Sequence, residues 1–215
     1  MDTFIFFDYI GVALFAATGA LAASRKRLDP IGFLFLSTAT GIGGGTVRDL
    51  VIGSPVFWVQ NPVYLIVCIA VATVLFFSAH LLESRYRVLL WLDAIALSAY
   101  ATMGAYKGLI ETNSGVIAVA MGMFTGTLGG IIRDLLSGEP SVLMRREIYV
   151  AAAMSGASTF VILYMFGVTI PASSAAGFLI ALVIRVGSLI CGWILPAYKP
   201  RTERSVDEVL RGIRH

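Results

Sequence analysis

Apolar residues run along this chain in seven long blocks, near 3–24, 31–51, 62–82, 88–109, 115–136, 148–168 and 173–195. Each is about the 20 residues that a helix needs to cross a bilayer, so the pattern predicts seven transmembrane helices. Proline, glycine or a charged run punctuates the joins, as at Asp29-Pro30, Gly53-Ser54-Pro55, Asn61-Pro62, Gly138-Glu139-Pro140 and Thr169 to Pro171. The first block opens Met1-Asp2-Thr3 without a basic region and outlasts a signal-peptide core, so it is expected to be a span rather than a cleaved leader.

Basic residues orient the spans. Arg25, Lys26 and Arg27 follow the first, Arg85 and Arg87 the third, and Arg145 and Arg146 the fifth. Lys199, Arg201, Arg204, Arg211 and Arg214 follow the seventh, against Lys107 alone near the opposite side. The positive-inside rule then puts the N-terminus outside and the C-terminus in the cytoplasm. Trp58, Tyr64, Trp91, Tyr149, Trp193 and Tyr198 fall near span ends, as an interfacial belt would. In the tail, Val206, Val209, Leu210 and Ile213 share one helical face, which fits either a surface-lying helix or a solvated end.

The pattern also repeats. An offset of 85 residues lays Asp8 on Asp93, Gly19-Ala20 on Gly104-Ala105, Thr40-Gly41 on Thr125-Gly126 and Gly44-Gly45 on Gly129-Gly130. It lays Arg48-Asp49-Leu50 on Arg133-Asp134-Leu135, Gly53 on Gly138, Pro55 on Pro140 and Tyr64 on Tyr149, without a gap. Three spans per copy reverse the orientation of the second copy. The expected architecture is all-α and integral to the membrane, a 3+3 inverted repeat plus a seventh helix. Its parts are 1–84, the inverted 85–169, the last span 170–196 and a basic tail 197–215. Such repeats place solute or ion sites near the midplane, between interrupted helices.

Composition sharpens this. Of 215 residues, 58% are hydrophobic and 13% charged, too little polar surface to cover a water-soluble fold. The net charge of +3 belongs to a basic cytoplasmic face rather than to a nucleic-acid site. Cys68 and Cys191 lie in apolar runs and His80 and His215 stand alone, so neither disulfide, metal site nor cofactor is expected. Hydrolase triads and paired-histidine metal motifs do not occur, which argues against an enzyme. The glycine-rich stretch is not a phosphate loop, because no strand precedes it and no lysine follows its last glycine.

Candidate chemistry lies in Thr40 to Leu50 and its twin Thr125 to Leu135. The GxxxG spacings there suit close helix packing. Gly43, Gly44 and Gly45 together also favour a kink or unwound turn, since each costs about 1 kcal/mol of helix stability relative to alanine. Carbonyls freed there, and at Gly129 and Gly130, could line an ion path. Arg48 and Arg133 need partners inside the membrane. Helix neighbours point apart, so the expected pairs are Asp8–Arg48 and Asp93–Arg133, leaving Asp49 and Asp134 to line the two mouths. Arg185, mid-span in the seventh helix, is expected to face the bundle, on an Asp or on freed carbonyls, or to act as a gate. Lys107 is expected to snorkel.

At these residues the chain resembles the prokaryotic branch of the trimeric intracellular cation (TRIC) channel family, also labelled the glycine transporter domain family. The resemblance covers all seven spans and rests on Gly44-Gly45-Thr46-Val47-Arg48-Asp49 and Gly129-Gly130-Ile131-Ile132-Arg133-Asp134. It implies a homotrimer with an hourglass pore in each protomer, passing potassium and, less selectively, sodium, with lipids as neighbours and glycine-kinked second and fifth helices beside the pore. The lysine-containing pore motif of animal members has no clear match, so their lipid and calcium regulation is not carried over. A secondary transporter for glycine or another small solute is the alternative.

Overall fold

The computed structural model describes residues 2–142, 144 and 147–196, with side chains from Asp8 onward. Arg145, Arg146 and the tail face of Val206, Val209, Leu210 and Ile213 lie outside the described residues. Among the described residues the chain is all-helical: α1 (Asp2–Arg25), α2 (Pro30–Ile52), α3 (Phe57–Gln60), α4 (Val63–Ser78), α5 (Arg85–Thr112), α6 (Gly115–Leu136), α7 (Val150–Met165) and α8 (Ile170–Cys191). A 3₁₀ turn at Ala79–Leu81 prolongs α4. Seven of the eight fall on the seven apolar blocks. The exception, α3, is a four-residue helix inside the first repeat's connection, too short to register as a periodicity.

Local chemistry fixes the ends. Asp29 caps α2 by accepting from the Gly32 amide at 2.7 Å, and Pro30 occupies the first turn, where no amide is needed. Gly53 closes α2 and Gly138 follows α6, both left-handed at φ 71° and 63°. The connection then turns back on itself. The Ser54 amide donates to the Asp49 carbonyl and the Glu139 amide to the Asp134 carbonyl, each at 2.9 Å, so the repeat holds at the level of single hydrogen bonds.

Five helices, α2, α4 with its 3₁₀ extension, α5, α6 and α8, are long and apolar enough to cross a membrane. At 16 residues, α7 spans about 24 Å. Burial follows membrane rather than aqueous logic. The two largest fully buried side chains are Arg133 and Arg185, while Phe35, Leu50, Phe77, Leu179 and Val183 stand exposed on the outer faces. In hydrocarbon those apolar faces need no cover, and it is the charges that must be enclosed.

The glycine-rich helices do not unwind. Both α2 and α6 are helical without interruption through Gly43 to Gly45 and through Gly129-Gly130. The carbonyls of these turns stay in the helix ladder, so an ion site of freed carbonyls is absent there. The glycines instead let α2 and α6 touch. A Cβ on Gly44 would lie 2.6 Å from the Thr125 carbonyl oxygen, and one on Gly129 3.0 Å from that of Thr40. Close packing is therefore realised, and an unwound turn is not.

Candidate functional site: two copies of a buried charge cluster

At the C-terminal end of α2, Arg48 and Asp49 are both buried. Asp49 Oδ1 accepts from Arg48 Nε at 2.7 Å and from Lys107 Nζ at 2.8 Å, and its Oδ2 accepts from the Phe57 amide at 3.0 Å. The carboxylate is thus the anchor onto which the following connection folds back. The Arg48 guanidinium also lies 5.8 Å from the Phe57 ring centroid. Asp8, on α1, is held separately: Tyr64 Oη donates to its Oδ2 at 2.8 Å and Tyr100 Oη to its Oδ1 at 3.0 Å.

The second copy sits at the end of α6. Asp134 Oδ1 accepts from Arg133 Nε at 3.0 Å and Nη2 at 2.9 Å, and its Oδ2 accepts from the Val142 amide at 3.0 Å. Val142 is the residue the 85-residue offset lays on Phe57, so the anchoring role of Asp49 is repeated. Arg133 reaches further than Arg48: its Nη1 donates to Asp93 Oδ1 at 2.7 Å, and Tyr149 Oη donates to the same oxygen at 3.3 Å. Arg185, fully buried on α8, donates from Nη1 to Glu147 Oε2 at 2.7 Å, with its guanidinium 4.9 Å from the Tyr149 ring centroid.

Of the two expected ion pairs, Asp93–Arg133 forms and Asp8–Arg48 does not. Neighbours on a helix point apart, yet Arg48 still reaches Asp49. The Asp49 carboxylate takes the Phe57 amide on one oxygen and the long Arg48 side chain on the other. Asp49 and Asp134 do not line open mouths; both are buried and bonded to backbone amides. Gly43, Gly45 and Gly130 are packing positions too, since an added Cβ would crowd Ile132, Phe57 and the Tyr149 hydroxyl respectively. Arg185 faces the bundle as expected, but its partner is Glu147 rather than an Asp or a carbonyl. Lys107 does not merely snorkel: it closes an ion pair with Asp49.

Sequence reasoning missed Tyr64 and Tyr149 as hydrogen-bond partners of Asp8 and Asp93, reading both as interfacial aromatics. Their signal was available, because they repeat at the same offset as Asp8 and Asp93. Tyr100, Lys107 and Glu147 gave no such signal, for they lie on positions that the offset does not match to a like residue.

Comparison with known proteins extends the picture. A family model described as "Glycine transporter" matches twice, over residues 5–80 and 90–165, the two matches displaced by the same 85 residues as the internal repeat. The chain is 35% identical to the UPF0126 inner membrane protein YadS of Escherichia coli K12, covering 89% of this chain and 94% of that protein. It is also 35% identical to a UPF0126 membrane protein of Vibrio cholerae, covering 92% and 84%. Among solved structures, the TRIC trimeric intracellular cation channel orthologue from Rhodobacter sphaeroides superposes with a TM-score of 0.87 at 49% identity, over 90% of this chain and all of that one. Repeat, fold and relatives agree: this integral membrane chain belongs to the glycine transporter domain family that includes the prokaryotic TRIC channels, a family of channels rather than enzymes.

Proposed function

We propose that this protein is a potassium-permeable monovalent cation channel of the inner membrane, assembled as a homotrimer with one pore in each protomer. The observation that carries the reading is the twofold cluster of buried charge beside the α2–α6 contact, in a chain 49% identical to a cation channel. Transmembrane charges held inside a bundle mark ion pathways more often than they stabilise a fold.

In this reading the path runs beside the contact of α2 and α6, where Gly43, Gly44, Gly45, Gly129 and Gly130 keep the wall thin. Asp49 and Asp134 act on the ion through their field, from behind the folded-back connections. Asp8, Arg48, Asp93 and Arg133 brace the two halves, and Arg185 sets the local charge of the second. The residue ranges 1–84 and 85–169 are the two inverted halves, with the N-terminus outside and the basic tail in the cytoplasm. Purified protein in planar bilayers tests this. Unitary currents carried by potassium, and more weakly by sodium, are expected. Saturable, ion-coupled glycine uptake into proteoliposomes without unitary currents would instead establish a transporter.

A further inference from the structure

The two copies differ in how completely they satisfy the aspartate on the first helix of each, half-buried Asp8 and buried Asp93. Both oxygens of Asp8 accept a tyrosine hydroxyl, from Tyr64 and from Tyr100. Asp93 takes Arg133 and Tyr149 on Oδ1, while its Oδ2 is buried without a protein hydrogen-bond partner. Arg185 shows the complementary deficit: Nη1 is on Glu147, whereas Nε and Nη2 are buried and unpartnered. Those two donors form the side edge of the guanidinium, a fixed two-pronged face.

A shared neighbour ties the two deficits together. The offset of 85 lays Asp8 on Asp93 and Tyr64 on Tyr149. Within the repeat the counterpart of Tyr100 is Phe15; Arg185 lies on the span outside it, and the packing of α8 on α5 brings it to this side of the second copy. Asp93 and Arg185 both border Tyr149, whose hydroxyl donates to Asp93 and whose ring faces the Arg185 guanidinium. A buried acceptor and two buried donors left unmet on two residues that border Tyr149 cost stability unless something meets them.

We propose that Arg185 and Asp93 enclose an internal water site, in which water accepts from the side edge of Arg185 and donates to Asp93 Oδ2, replacing the direct Tyr100–Asp8 hydrogen bond of the first copy. The chemistry selects water. The occupant must accept from a cation and donate to a carboxylate. A permeant cation is repelled by Arg185, and an anion by Asp93 and Glu147. A polar site that offers three partners is what a buried water requires. Through that water Arg185 keeps the free oxygen of Asp93 from holding a passing cation.

The test reads density and melting temperature in the full-length protein, so its outcome is independent of whether the chain conducts. A structure resolving other buried waters should show solvent density within hydrogen-bond distance of Asp93 Oδ2 and of Arg185 Nε or Nη2. R185Y should lose that density, bring its hydroxyl onto Asp93 Oδ2, and melt above R185M by roughly 2–4 °C, the shift expected for one recovered hydrogen bond in a chain this long. R185M, soaked with rubidium, should show anomalous density at Asp93 that the wild type lacks. A dry site at such resolution, or R185Y melting no higher than R185M, would overturn the proposal.

Discussion

The first and second copies of the charge cluster share a motif and part company in where the arginine points. Arg48 serves one carboxylate, Asp49, and leaves Asp8 to two tyrosines. Arg133 bridges two, Asp93 and Asp134. What the copies hold in common is what each carries within its own repeated sequence: the aspartate that anchors an amide eight residues on, and the tyrosine that returns from the third span. What differs is supplied from outside the repeat unit. Tyr100 and Lys107 reach the first copy from α5, whereas α8 brings Arg185 to the second. A duplicated motif therefore inherits its local bonds, and the elements packed over each copy decide the longer ones.

The comparison predicts an unequal response to losing the arginine. R133M removes the cation shared by two buried carboxylates and should cost about 3–5 kcal/mol, enough to deplete the folded protein. R48M should cost about 1–2 kcal/mol, because Asp49 keeps Lys107 and the Phe57 amide. Thermal unfolding in detergent, followed by size-exclusion chromatography, measures both. Equal losses would mean that the two guanidiniums carry the same load and that the bridge over Asp93 and Asp134 adds nothing.

Crowding the contact of the two halves comes next in size. G44A drives a methyl group to 2.6 Å from a backbone carbonyl, whereas G129A meets its nearest atom at 3.0 Å. Overpacking should cost G44A about 1–3 kcal/mol and G129A less. Reversal of that order would place the tight side of the contact on α6 instead of α2. Smaller again is the tyrosine pair. Y64F removes the donor to one oxygen of Asp8 and should cost about 1 kcal/mol, while Y149F loses a longer bond, 3.3 Å, to an oxygen that still holds Arg133. The melting temperature of Y149F should lie nearer the wild type.

Much of this was legible from residue pattern. The helix ends follow from proline, glycine and capping residues, and the offset of 85 located both clusters. Three features were not. The Gly43 to Gly45 run lowers helix propensity, yet α2 stays helical, because packing against α6 outweighs intrinsic preference. The Asp8–Arg48 pair is expected because both residues fall near the outer end of their spans, but Tyr64 and Tyr100 hold Asp8 and Arg48 turns to Asp49. Helix α3 and the return of Phe57 to Asp49 depend on the fold of a connection that leaves no periodicity. Tyr100 lies far off in sequence from Asp8, and the Phe57–Asp49 return, though repeated at Val142–Asp134, runs through a backbone amide whose residue type carries no signal.

Lys107 gives the smallest single effect and the sharpest use of the comparison. Its side chain is 28% exposed, so K107Q alone should cost about 0.2–1 kcal/mol, the range of accessible ion pairs. That loss should shrink as salt is raised, because an accessible pair is screened while the Arg48–Asp49 contact beneath it is not. The informative variant is R48M combined with K107Q. Either cation alone leaves Asp49 paired; removing both leaves a fully buried carboxylate with only the Phe57 amide. The double variant should therefore lose more than the sum of the two single losses and move toward the R133M loss. Simple additivity would show that Lys107 and Arg48 act on Asp49 independently, and that the first copy tolerates R48M for a reason other than its second cation.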